Sequence, residues 1–188
     1  MNAIRILTLT VSLWMAGFWA NAQVINSTVP PLNGGLTDVG ITFNLTVNDS
    51  ITLNRIAISF VNTGLNNYFI WMKNGPIAGP PNITFVTGWT PLQINSINVT
   101  NSGIGNLQYI DLTTPMVLAP GTYGMYVGGG PYHISNYTGG PFQYIDADTL
   151  TTITTGSNVG YAGPQPTPST TPRQFNGAID LSLIHISD

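Results

Sequence analysis

Asp146-Ala147-Asp148 is the one place where this chain sets two carboxylates two residues apart. Residues i and i+2 of a strand share a face. With nearby carbonyls and the Thr149 hydroxyl they offer the oxygen-rich set that Ca²⁺ takes. Asp146 and Asp148 are therefore the candidate metal ligands, and two solvated carboxylates are the plainer alternative. Glycoside hydrolysis needs a placed pair of acids. The chain has seven Asp and no Glu, and most of these Asp stand in turns or at strand ends, where such side chains bond the local backbone. A serine triad would need His133 or His185, and no G-x-S-x-G motif occurs. Zinc needs three or four Cys, His or acidic ligands, which this composition does not assemble. "GGGP" at 128–131 lacks the lysine and following helix of a phosphate loop. No catalytic residue is assigned.

Binding is the remaining chemistry. Trp71, Trp89, Tyr132, Tyr137 and Tyr144 are amphipathic plates that can stack on sugar rings, with Asn and Gln as partners for hydroxyl groups. Trp71 and Trp89 sit in strand-like segments and read as well as core. Tyr132 and Tyr137 flank a glycine-rich loop and are expected at the surface.

Composition narrows the partners. Arg5, an apolar run from Ile6 to Phe18 and Ala20-Asn21-Ala22 read as a cleaved signal peptide over residues 1–22. The expected location is therefore secreted or cell-surface, with cleavage near Ala22. The run is too short for a membrane span, and none is expected in the mature chain. The mature chain carries three basic residues, Arg55, Lys73 and Arg173, against its seven Asp. Nucleic-acid binding needs clustered cations, and a polybasic membrane patch fails for the same reason. With no cysteine, disulfide-stapled scaffolds are excluded. A hydrophobic content of 43% with many aromatics argues against disorder.

The elements that must hold these residues are strands. "ITFNLTVND" alternates Ile41, Phe43, Leu45 and Val47 with polar residues, and "ITLNRIAISF" follows the turn at Asp49-Ser50. The two are expected to form a hairpin. The apolar phase slips at Asn54-Arg55, which suggests a β-bulge. "NNYFIWMKNG" is apolar on both phases and is expected to be covered on both faces. "ITFVTGWTPL" reads as a strand ended by Gly88, and "QINSINVT" as another. Two more flank the turn at Ala119-Pro120-Gly121, shorter ones lie in "YHISNY" and "FQYIDADTLTTIT", and "RQFNGAIDLSL" closes the set. All 14 prolines are placed in loops or at strand ends. No capped helical pattern appears. The expected fold is all-β, an antiparallel two-sheet β-sandwich of jelly-roll-like type. Phe43, Leu45, Ile56, Ile58, Tyr123, Phe175 and Ile179 should share one core.

Several ordered motifs carry a resemblance: "FNLTVNDSITL", "WMKNG", "GWTPLQI", "LAPGTYGMYV" and "PRQFNGAID". Over Val39 to Ile179 the chain resembles secreted bacterial β-sandwich domains of exoproteins and cell-surface proteins, whose function is unassigned. The resemblance implies the sandwich and no activity. Phe175 stands where that group tends to have Trp. "LSLIHIS", Leu181 to Ser187, is similar to a translated transposon-end sequencing adapter. The expected division is a signal peptide at 1–22, a β-sandwich domain at 23–180 and a non-native tail at 181–188. The expected function is a non-catalytic structural or adhesive module of a larger extracellular protein, needing no cofactor. A carbohydrate-binding module, with cell-surface or extracellular glycans as partners, is the alternative. A secreted hydrolase comes last.

Overall fold

The computed structural model describes residues 22–26, 36–134, 141–146 and 148–183. Its strands are β1 (Ala22–Asn26), β2 (Leu36–Val47), β3 (Ile51–Ser59), β4 (Gly64–Asn74), β5 (Trp89–Val99), β6 (Leu107–Leu118), β7 (Gly121–Ile134), β8 (Phe142–Ile145), β9 (Thr151–Thr155) and β10 (Gly177–Leu183). They form a four-stranded sheet, β1-β10-β3-β6, and a six-stranded sheet, β5-β4-β7-β2-β9-β8. All ladders between named strands are antiparallel. Without the β8–β9 hairpin, eight strands remain in the interleaved order of a jelly roll. The hairpin adds two strands beside β2 and extends one sheet. No helix among the described residues is long and apolar enough to cross a membrane.

Alternation builds the main core. Ile41, Phe43, Leu45 and Val47 of β2 face Ile56, Ile58 and Ile179 of the opposite sheet in one buried cluster. Phe43 stacks on Phe175 at 4.1 Å between ring centroids. The expected core residues all belong to this cluster, with Tyr123 half-buried at its margin. The slip at Asn54 is a bulge: Leu53 pairs with Leu181 and Arg55 with Asp180, leaving Asn54 unmatched. The extra residue lets Leu53 and Ile56 both point inward while Arg55 turns out and meets Asp180 at 2.5 Å.

Three expectations are corrected. β2 and β3 are not a hairpin. β2 pairs with β7 and β9, and β3 with β10 and β6. Asp49-Ser50 therefore carries the chain from one sheet to the other, a choice that alternation alone does not encode. "ITFVTGWTPL" is not a strand ended by Gly88 either. Phe85–Thr87 forms one 3₁₀ turn, capped by Gly88 at φ 81°. β5 then starts at Trp89 and runs through "QINSINV", joining two expected strands into one. Lastly, Pro91, Pro115 and Pro131 lie inside strands. β5 and β6 are the outermost strands of their sheets, and Pro131 sits where β7 bulges against β2. These are the places where a sheet tolerates a missing amide hydrogen.

Leu181 is buried and Leu183 half-buried, and both continue the apolar phase of β10. Residues 184–188, His185 among them, lie outside the described residues, as do residues 1–21 of the segment 1–22 read as a signal peptide; Ala22 opens β1.

Candidate functional site

The outer face of the six-stranded sheet holds two of the residues singled out for binding, Trp71 and Trp89. Trp71 of β4 and Tyr126 of β7 point away from the main core. Ile77, Ile83, Trp89 and Tyr161 from the surrounding segments cover them, forming a second buried cluster. Glycines make room for it. A Cβ at Gly40 or Gly128 would stand 2.3 Å from the Tyr126 hydroxyl oxygen, so the ring lies flat on bare backbone. The Tyr126 hydroxyl donates to the Gly163 carbonyl at 3.1 Å. Burial pushes its pKa well above the ordinary tyrosine value.

The covering segments are tied to the sheet. The Ile77 amide donates to Asn44 Oδ1 at 2.9 Å and the Ile83 amide to the Pro166 carbonyl at 2.6 Å. Thr42 Oγ1 donates to the Val159 carbonyl at 2.6 Å and accepts from the Tyr161 amide at 2.9 Å. Recesses remain beside these segments. One, of about 190 Å³, lies among Lys73, Gly79, Pro80, Asn82, Thr87 and Trp89. Another, of about 270 Å³, is lined by Val39, Phe69, Tyr126, Gly129, Pro164 and Gln165. A third cleft, of about 360 Å³, opens where β5 and β6 part, between Pro91, Leu92, Leu112 and Met116.

The five aromatic candidates do not form one platform. Trp71 and Trp89 are each 3% exposed and serve as core of the outer cluster. Phe85 lies over Trp71 at 5.3 Å. Tyr132 was expected at the surface and is fully buried. It packs edge-on against Phe60 at 5.0 Å, and its hydroxyl donates to the Gly128 carbonyl at 2.7 Å. The glycines before it admit the ring to the interior rather than displaying it. Burial raises its pKa as it does that of Tyr126. Tyr144 is half-buried against the main core, with its hydroxyl 3.3 Å from Gln174 Oε1. Tyr137 lies outside the described residues. The alternation rules could not single out Phe69 and Gln165, which share the 270 Å³ recess, because the two are far apart in sequence.

The candidate calcium pair is divided by its hydrogen bonds. Asp146 accepts from the amides of Leu150 and Thr151, at 2.7 and 3.1 Å, and from the Thr151 hydroxyl at 2.7 Å. Both of its oxygens thus face donors and close the β8–β9 turn. Asp148 is exposed and accepts from the Gln23 side-chain amide. No group of three His, Cys or acidic residues able to hold a metal occurs among the described residues. Asp180, the other buried carboxylate, is engaged by Arg55, whose guanidinium also lies 4.6 Å over the Tyr109 ring. His133 sits in β7 opposite Thr37. No family model matches the chain, and no curated protein does.

Proposed function

We propose that the chain is a non-catalytic structural or adhesive module of an extracellular protein. The observation that carries this reading is the use of its two buried carboxylates. Asp146 binds the donors of its own turn through both oxygens, and Asp180 binds Arg55 across a ladder through Oδ2 while its Oδ1 is sealed from the surface. General acid–base chemistry needs a carboxyl group free to exchange a proton with substrate; one of these groups is occupied in its turn and the other is buried in its ladder. The signal-like segment at 1–22 and the resemblance to exoprotein domains support an extracellular setting. The test is turnover by the purified protein of chromogenic esters and soluble polysaccharides. The expected rates equal the blank. Hydrolysis that disappears in an Asp146→Asn or Asp180→Asn variant overturns the reading.

A carbohydrate-binding module is the second reading. The recess on the outer face favours it, because Phe69 offers a half-buried aromatic surface beside the Gln165 amide. Binding on a glycan array, lost in Phe69→Ala, would bring this reading forward.

A further inference from the structure

Lys73 is one of three cations beyond the signal-like segment. Arg55 is paired with Asp180, and Arg173 donates to the Pro172 carbonyl at 2.7 Å. The Lys73 side chain forms neither an ion pair nor a hydrogen bond with any described residue. Its side chain is nonetheless placed with care. The stem crosses β7 at Gly124, where a Cβ would meet Lys73 Cγ at 2.8 Å and Ile77 Cγ1 at 2.9 Å. Any other residue at 124 would displace the lysine. A lysine serving only solubility has no such need, since its long stem is free to move in water.

Lys73 lines the 190 Å³ cup between β4 and β5, and also an adjoining cleft of about 410 Å³ with Asn74, Gly88, Thr90 and Met116. The cup's wall is rigidly held. Its loop is tied at Ile77 to Asn44, at Gly79 to the Asn158 carbonyl and at Ile83 to Pro166. Thr87 fixes the far end by bonding the Thr84 carbonyl at 2.8 Å. A preorganised wall lowers the ordering cost of binding. Asn82 adds an exposed amide to the same lining, and the exposed Pro80 supplies a ring face without a competing amide hydrogen. A charge-assisted contact with a carboxylate, a second donor from an amide and an apolar ring face match a sugar acid. The cup is small for a peptide segment, which favours a compact ring.

We propose that this cup binds the carboxylate of a uronic-acid residue in an acidic polysaccharide, with Lys73 as counter-ion and Asn82 as second donor. The proposal extends the carbohydrate-binding reading and rests on it. The chain's net charge of −3 does not draw polyanions from a distance. Selectivity therefore comes from the local contact with Lys73 and weakens with added salt.

Titration calorimetry with oligogalacturonate, its methyl ester and a neutral cello-oligosaccharide tests it. The expected result is binding of the free acid and a loss of about tenfold or more on esterification or in Lys73→Gln, the scale of one hydrogen bond to a charged group. Lys73→Met keeps the stem over Gly124 and should show the same loss with an unchanged melting temperature. Asn82→Ala should give a smaller loss. Equal binding of acid and ester, or of wild type and Lys73→Met, overturns the proposal. So does oligo-aspartate bound as tightly as the sugar acid. Binding of the neutral oligosaccharide with no preference for the acid overturns it while leaving the carbohydrate-binding reading intact. Binding of none of the sugars removes both.

Discussion

The inner face of the six-stranded sheet packs aliphatic strand residues against a second sheet; its outer face packs aromatic residues against loops. Inside, Ile41, Phe43 and Leu45 meet Ile56, Ile58 and Ile179, and nearly every residue of the cluster comes from a regular strand, with Phe60, Ala162 and Phe175 the additions. Outside, Trp71 and Tyr126 meet Ile77, Ile83 and Tyr161, which come from segments without long strands. The inner cluster holds the two sheets together. The outer cluster holds two loops in place, and those loops form the walls of the recesses. Sheet-to-sheet packing and loop positioning thus occupy opposite faces of one sheet, with β4 and β7 contributing to both.

Substitutions on the two faces should separate these roles. The largest effect is expected from Phe175→Ala, which empties the stack on Phe43. It should lower stability by about 3–5 kcal/mol, read by denaturant unfolding as a shift of the whole transition. Ile83→Ala on the outer face should cost about 2–4 kcal/mol. Hydrogen exchange should show protection lost first between Ile77 and Gly88, while the β2 and β7 amides facing one another keep theirs. If both variants unfold the molecule as one unit, the division between the faces is wrong.

Each cluster also contains one fully buried tyrosine, Tyr132 inside and Tyr126 outside. Burial raises both pKa values, so the folded state holds these protons more tightly than the unfolded chain does. The associated stability is intact below about pH 10, the ordinary tyrosine value. It is lost as pH rises from there toward the folded values, at about 1.4 kcal/mol per pH unit for each tyrosine. Tyr126→Phe and Tyr132→Phe should each flatten the alkaline limb of a stability–pH curve. An unchanged limb in either variant would mean that its ring is not sealed from water.

The smallest effect belongs to the hairpin beside β2. Asp146→Asn keeps the shape of the turn and weakens its charge-assisted bonds, at a cost of about 1–2 kcal/mol. The melting temperature should be the same with EDTA and with Ca²⁺. A drop with chelator, restored by Ca²⁺, would show that Asp146 binds metal, because native-state ligands stabilise by mass action.

Much of the inner face could be read in advance because a strand writes its burial locally, in every second residue. The bulge at Asn54 was legible for the same reason, as a slip of phase. Sheet membership was not: Asp49-Ser50 looks the same whether the next strand returns beside β2 or crosses to the other sheet. The outer face was less legible still. Trp71 and Trp89 could be read as core or as binding plates, and they are core, while Tyr132, expected at the surface, lies in the inner cluster. Lys73 stood in the sequence as an ordinary strand-end cation. Only the fold sets it on Gly124, some fifty residues away, and against the loop that encloses it.

Pro91 and Pro115 have a consequence for contacts between molecules. β5 and β6 each end a sheet, and each exposes an aliphatic side chain on its flank, Ile94 at 58% and Val117 at 66%. A bare edge with apolar side chains is a template on which a strand from another copy can pair. Here Gln93 of β5 bonds the Asp111 carbonyl and the Thr113 amide of β6, and both prolines, which lack an amide donor, line the cleft between the two strands. The two edges are thereby made poorer templates for a further strand. That protection matters most for a charge-poor chain crowded with its own copies, where electrostatic repulsion does little to keep neighbours apart.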